Sequence, residues 1–218
     1  KTSVAVPGKL LADESIIGTI LNGYETHKPY GKKVNRSAII VLTSLIDEKV
    51  YNGIVTSIRS LFHTTKILSI AGSSLRYQAI RTVFPHERSA LVLDAIGPLL
   101  SISLVRAGFL VAVTDVEENI SVKNIDLWIQ KVTDEFTELA KRYPLPRTIF
   151  LISRELDASI LEKALSTAKL SGLWLSDNPP TIVPVQPNHF ASFVRQVTTA
   201  PPDLPLLLMA IYWQNRVL

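Results

Sequence analysis

Residues 90–113 read ALVLDAIGPLLSISLVRAGFLVAV, and this stretch constrains the fold more than any other. It holds three strand-like runs, about 89–94, 99–106 and 108–114, rich in Leu, Val and Ile. The joins are too short for a crossover, so neighbouring runs must pair antiparallel. Ala107-Gly108 reads as a tight turn, with the glycine supplying positive φ. At the first join, Asp94 and Gly97 make a strand-Asp-Gly-strand corner. Such a corner can grip a phosphate through backbone N–H groups, or it can simply open a hairpin.

Downstream the apolar period changes. Ile125, Ile129, Val132, Phe136, Leu139 and Tyr143 recur at helical spacing, with Ser121 as the expected cap and Pro144 as the stop. RTIFLIS then reads as a strand and DASILEKALSTAKL as a helix. TIVPV is a short strand that Pro184 places at an edge, and DLPLLLMAIYWQNRV is a closing helix, apolar on most sides. Upstream, ESIIGTIL opens a short strand and SAIIVLTS, 37–44, is a clearer one. DEKVYNGIVTSIRSLF is an amphipathic helix capped by Asp47, with Val50, Ile54, Ile58 and Leu61 on one face; Gly53 inside it suggests a tight packing contact. KILSIA, 66–71, reads as a strand, and SSLRYQAIRTVF as a helix ending before Pro85. The class is therefore α/β, with a seam near Pro85-His86. Residues 1–14 form an N-terminal segment, 15–85 a small α+β subdomain, and 86–218 a domain whose mixed sheet is flanked by helices.

Composition excludes several functions. With 47% apolar and 19% charged residues the chain is globular, not disordered. The net charge of +4 is spread out, apart from Lys28, Lys32, Lys33 and Arg36, which read as a solvated turn, so no nucleic-acid surface is expected. The absence of cysteine removes disulfides, thiol catalysis and Cys-type zinc sites. His27, His63, His86 and His189 lack paired ligand spacing, so no metal site is expected. The adjacent carboxylates Asp13-Glu14, Asp47-Glu48, Glu117-Glu118 and Asp134-Glu135 read as helix starts or solvated faces, and no catalytic constellation emerges. No apolar run reaches the roughly 18–20 residues of a membrane span. Lys1 opens the chain without an initiator Met, as in a fragment or processed chain.

The order of elements, with LVLDAIG entering the meander and LRYQAIRTVFPHERSALVLDAIG leading into it, resembles the actin-like ATPase superfamily in its FtsA/PilM-like branch. The resemblance runs from about residue 15 to the end. It implies an actin-like (ribonuclease H-like) second-half domain, preceded by the inserted subdomain of that branch.

The nucleotide motifs depart from the family pattern. The second phosphate motif is an aspartate, an apolar residue, glycines and a hydroxyl pair; here the stretch is Asp94-Ala95-Ile96-Gly97-Pro98-Leu99-Leu100-Ser101. Asp94 and Gly97 match, and Ser101 alone keeps a hydroxyl. Pro98 offers no N–H. The adenosine motif, a strand followed by Gly-Gly, falls on Thr148–Ile152 and then Ser153-Arg154-Glu155, with no glycine. No first phosphate loop precedes residue 15.

What the resemblance implies is a non-catalytic scaffold or adaptor at the cytoplasmic membrane face, of the type IV pilus assembly or cell-division kind. It would bind a membrane protein's cytoplasmic tail or another assembly protein, and would self-associate through the inserted subdomain. The alternative is the nucleotide-binding half of an actin-like ATPase. In that case Asp94, Gly97 and Ser101 would contact ATP and Mg²⁺, with a first half that this chain lacks.

Overall fold

Thirteen residues, Lys9–Leu21, form β1 of the protein in a computed structural model that describes residues 6–26, 29–63, 66–97, 99–116, 124–170, 172–174, 178–195, 197, 199, 201 and 203–215. The strand begins well before Glu14, so the short strand expected there is only its second half. β1 pairs antiparallel with β2 (Tyr24–Glu25) and β3 (Ser37–Asp47) in the order β2-β1-β3. Register shifts between Leu11 and Asp13 and between Ile16 and Gly18 mark bulges on β1. Each restores the alternation, so Leu11 opposite Leu45, Ile16 opposite Val41 and Thr19 opposite Ile39 share one face.

The Asp47 side chain accepts from the backbone N–H groups of Lys49 at 2.9 Å and Val50 at 3.2 Å, and α1 (Glu48–Phe62) starts there as expected. Yet α1 buries none of its residues, and Val50, Ile54, Leu61 and Phe62 stay exposed. A Cβ on Gly53 would meet nothing within 4 Å, so the tight contact expected of this glycine is absent.

Residues 66–71 are not a strand, contrary to the sequence reading. They are held to β1 by isolated bonds: the Ser69 hydroxyl donates to the Ala12 carbonyl, and Ala71 N–H donates to Asp13 Oδ2 at 3.1 Å. Both partners sit at the first bulge, where the regular ladder spacing is broken. Asp13 is thus a part-buried strand residue, neither a helix start nor a solvated face.

The chain divides into two compact units, residues 1–74 and 75–218, so most of α2 (Gly72–Val83) lies with the second unit. The second unit is built on a five-stranded sheet of order β6-β5-β4-β7-β8. The meander is β4 (Ala90–Asp94), β5 (Leu100–Arg106) and β6 (Phe109–Val116), antiparallel throughout as the short joins require. After α3 (Ile125–Arg142), β7 (Thr148–Ile152) joins β4 in parallel. α4 (Glu155–Thr167) leads to β8 (Thr181–Pro184), parallel to β7 and at the sheet edge, where Pro184 is tolerated. A 3₁₀ turn at Pro187–Phe190, which the sequence reading lacked, and α5 (Leu204–Asn215) complete the unit.

β4 is central, with Ala90, Leu91, Val92 and Leu93 all buried, as a strand covered on both faces should be. Leu91, Leu93, Ile102 and Leu104 pack with Trp128, Val132, Phe136 and Leu139 of α3 and with Leu161 and Leu165 of α4. Each such side chain contributes about 1.5–3 kcal/mol by leaving water. α3 is capped by Asn124, whose Oδ1 accepts from Leu127 N–H at 3.2 Å, and not by Ser121, which lies outside the described residues. The fold is therefore an α/β mixed sheet flanked by helices, together with a separate small antiparallel unit.

Candidate functional site

β4 is the strand where pairing changes from antiparallel to parallel, and ligands of open α/β sheets gather outside the carboxyl ends of strands at such switch points. Asp94 closes β4 level with Ile152, the last residue of β7, and with Ser101 on β5. Ala95 N–H donates to the Ile152 carbonyl at 2.8 Å, which ties the two strand ends together. The Asp94–Ser101 stretch and the end of Thr148–Ile152 are thus neighbours.

The Asp94 carboxylate is already engaged. Arg76 of α2 donates through Nε to Asp94 Oδ2 at 2.7 Å, with both side chains only 16% exposed. Asp94 Oδ1 accepts from Ile96 N–H at 3.1 Å, an Asx-type turn that shapes the corner. Arg76 was absent from the expected site, because nothing in the local pattern of α2 marks one arginine as a partner for a strand end.

Gly97 shows no positive φ, and a Cβ there would meet only Leu99 backbone atoms at 3.8 and 3.9 Å, ordinary contact. The backbone therefore accepts a side chain at this position without strain. Pro98 lies outside the described residues. Leu99 is exposed and Leu100 is buried in the core, so neither offers a polar group. Ser101 sits within β5, half-buried, in register with Asp94.

On the β7 side, Ser153 is buried, while Arg154 is exposed and turns its Nε to Asp157 Oδ2 at 2.8 Å. Glu155, which follows Arg154, is exposed as well. Among the described residues no group of three or more His, Asp or Glu could hold a metal ion.

These residues do not fit Mg-ATP. Asp94 is committed to protein partners: one oxygen accepts from the Arg76 guanidinium and the other from a backbone N–H. Phosphoryl transfer requires positioned positive charge aimed at the phosphates, and Arg76 is turned to Asp94 and Arg154 to Asp157.

A second cluster braces the hairpin tip. Buried Tyr77 donates its hydroxyl to the Gly108 carbonyl at 2.6 Å and accepts from Arg81 Nη1 at 2.9 Å. Gly108 N–H donates to the Arg88 carbonyl at 2.6 Å, and Ala107 N–H to Ser89 Oγ at 3.1 Å. Arg76, Tyr77 and Arg81 thus fasten α2 to both ends of the meander.

The chain matches no family model, and no curated protein matches it in sequence. Solved structures do match in shape. A chain of the PilM-PilN type IV pilus biogenesis complex superposes with a TM-score of 0.59 at 13% identity, covering 97% of this chain and 68% of that one. A protein of actin-like ATPase fold and unknown function from Bacteroides thetaiotaomicron gives 0.42 at 12% identity, over 76% of this chain and 53% of that one. An Aquifex aeolicus Ppx/GppA phosphatase, type II variant, gives 0.30 at 11%, over 55% and 60%. The first of these likenesses shows the fold.

Proposed function

We propose that this chain, which has an actin-like fold of the PilM kind, is a non-catalytic scaffold or adaptor of type IV pilus assembly. It works at the cytoplasmic face of the membrane through a partner protein. None of the helices among the described residues is long and apolar enough to cross a membrane, so attachment through a partner suits the chain. The observation that carries the non-catalytic part is the Arg76–Asp94 pair: the one acidic group at the switch point already has its cation.

The partner is a membrane protein's tail or another assembly component, by analogy with the PilM-PilN complex. The small antiparallel unit is the proposed docking region, since its sheet edge and exposed apolar side chains are of the kind that accept an added strand or peptide. The cell-division adaptor reading shares this mode of action, and the pilus reading is preferred for the likeness to the PilM-PilN complex.

Calorimetric titration with Mg-ATP, alongside Asp94→Ala, tests the reading. The expected result is no binding heat with a folded protein, while a PilN-type partner co-purifies. Heat that disappears in Asp94→Ala would replace this reading with that of a nucleotide-binding half of an actin-like ATPase.

A further inference from the structure

The two ends of the second unit carry opposite charge. The first turns of α3 and α4 hold Asp126, Glu155 and Asp157, and Asp94 closes β4, so carboxylates gather where the parallel strands finish. Where those strands start, the last turn of α2 holds Arg81 and that of α3 holds Lys141 and Arg142. Complementing the helix dipoles accounts for these helix-end charges. It does not account for Arg88, Arg106 and Arg147, which lie on a turn and at strand ends.

The register brings these three together. Ala90 pairs with Val105 and with Thr148, so one step earlier Ser89 falls between Arg106 and Arg147, two strand spacings or about 10 Å apart. Arg88 Nη2 donates to the Ala107 carbonyl at 2.9 Å, and Arg147 Nη2 to the Pro179 carbonyl at 3.0 Å. These acceptors are neutral, so the two bonds orient the guanidinium groups without compensating their charge. Arg88, Arg142 and Arg147 are exposed, while the Glu87 carboxylate beside them accepts from Thr148 Oγ1 at 3.1 Å.

We infer that this end of the unit rests against an anionic phospholipid surface. The cations come from α2, the turn before β4, the β5–β6 hairpin and the end of α3, and they flank the sheet on both sides. Ile149 and Leu151 pack with α3, whereas Phe150 between them meets Phe84 just after α2, with 4.6 Å between ring centroids. A layer of lipid phosphates meets cations spread this widely, whereas one extended acidic segment follows a single line of them. The carboxylates at the opposite end repel the same surface and so fix which end faces it. Such a patch binds weakly alone, which suits a chain also held by a partner.

The inference rests on the membrane-face part of the scaffold reading. A chain that binds a PilN-type partner but no anionic vesicle sinks this inference alone; one that binds vesicles but no such partner sinks only the functional reading.

Co-sedimentation of the intact chain with vesicles tests it. Binding is expected to vesicles of equal parts phosphatidylcholine and phosphatidylglycerol, not to phosphatidylcholine alone, and should fall as salt is raised. Arg88→Glu with Arg147→Glu should weaken binding about a hundredfold or more. Lys32→Glu with Lys33→Glu lowers the net charge from +4 to zero just as that pair does, yet should leave binding within a few fold. Arg88→Lys with Arg147→Lys should keep it, because charge and not the carbonyl bonds holds the lipid. Arg88→Gln with Arg147→Gln, expected to weaken binding about tenfold, answers the question if the Glu pair does not fold. Equal binding to neutral vesicles, equal loss in the two charge-reversed pairs, or capture of polyglutamate without capture of vesicles would overturn the inference.

Discussion

Arg76 Nε stands 2.7 Å from Asp94 Oδ2, joining helix α2 to the end of the central strand β4. Because both side chains are largely removed from solvent, losing either one strands the other charge. Arg76→Ala should destabilise the protein by about 1–3 kcal/mol. A double-mutant cycle with Asp94→Asn, read by urea unfolding, should show a coupling of similar size. Additive single effects would mean that the pair contributes nothing as a pair.

The hairpin turn can be improved. Ala107 has φ 50° and Gly108 φ 84°, two successive left-handed residues, as a type I′ turn requires. Alanine is an unfavourable choice there, while asparagine tolerates that backbone. Ala107→Asn should raise stability by roughly 0.5–1 kcal/mol, seen as a higher thermal midpoint. A lower midpoint would argue against this turn geometry.

The two long amphipathic helices should respond differently to mutation. Phe136 of α3 is fully buried, with its ring 5.9 Å from that of Trp174 in a T-shaped arrangement. Phe136→Ala should cost about 3–5 kcal/mol. Ile54 of α1 is half-exposed, and Ile54→Ser should shift stability by no more than about 0.5 kcal/mol. Chemical denaturation of both variants checks the contrast; a large loss at Ile54 would show that α1 is covered in solution.

Glu138 on α3 offers a small electrostatic test. Lys141 Nζ lies 2.5 Å from its Oε1, and that hydrogen bond and charge hold the carboxyl below its ordinary value. A depressed carboxylate pKa gives stability above the ordinary titration range, lost as pH falls through the folded value. The pair is exposed, so the effect is small and salt should screen it. Carboxyl NMR titration should give a lowered pKa that climbs with added salt; a salt-independent value would contradict the pairing.

The contrast between α1 and α3 also shows where sequence ran short. Both carry an apolar stripe at helical spacing, and both were legible as helices, Asp47 capping the first as its position suggested. Whether a stripe is buried depends on what lies opposite, which spacing alone does not encode. KILSIA resembles SAIIVLTS in composition, yet only the second finds a ladder partner; the bulge at Ala12 interrupts pairing beside the first. The meander was readable because its joins are short and its turn local. At the candidate site, the corner holding Asp94 and Gly97 was legible from the strand pattern, while Ser101 came only from the family resemblance. Arg76 was not legible, because its pairing arises only when α2 packs beside β4.

The place of β4 at the middle of its sheet matters for how the protein is made. During synthesis β5 and β6 follow at once and cover one side of β4, but its other side waits until Thr148–Ile152 has left the ribosome. For that interval Ala90–Asp94 presents an apolar, unpaired edge. The growing chain therefore passes through a stage at which a strand destined for the core is open to wrong partners.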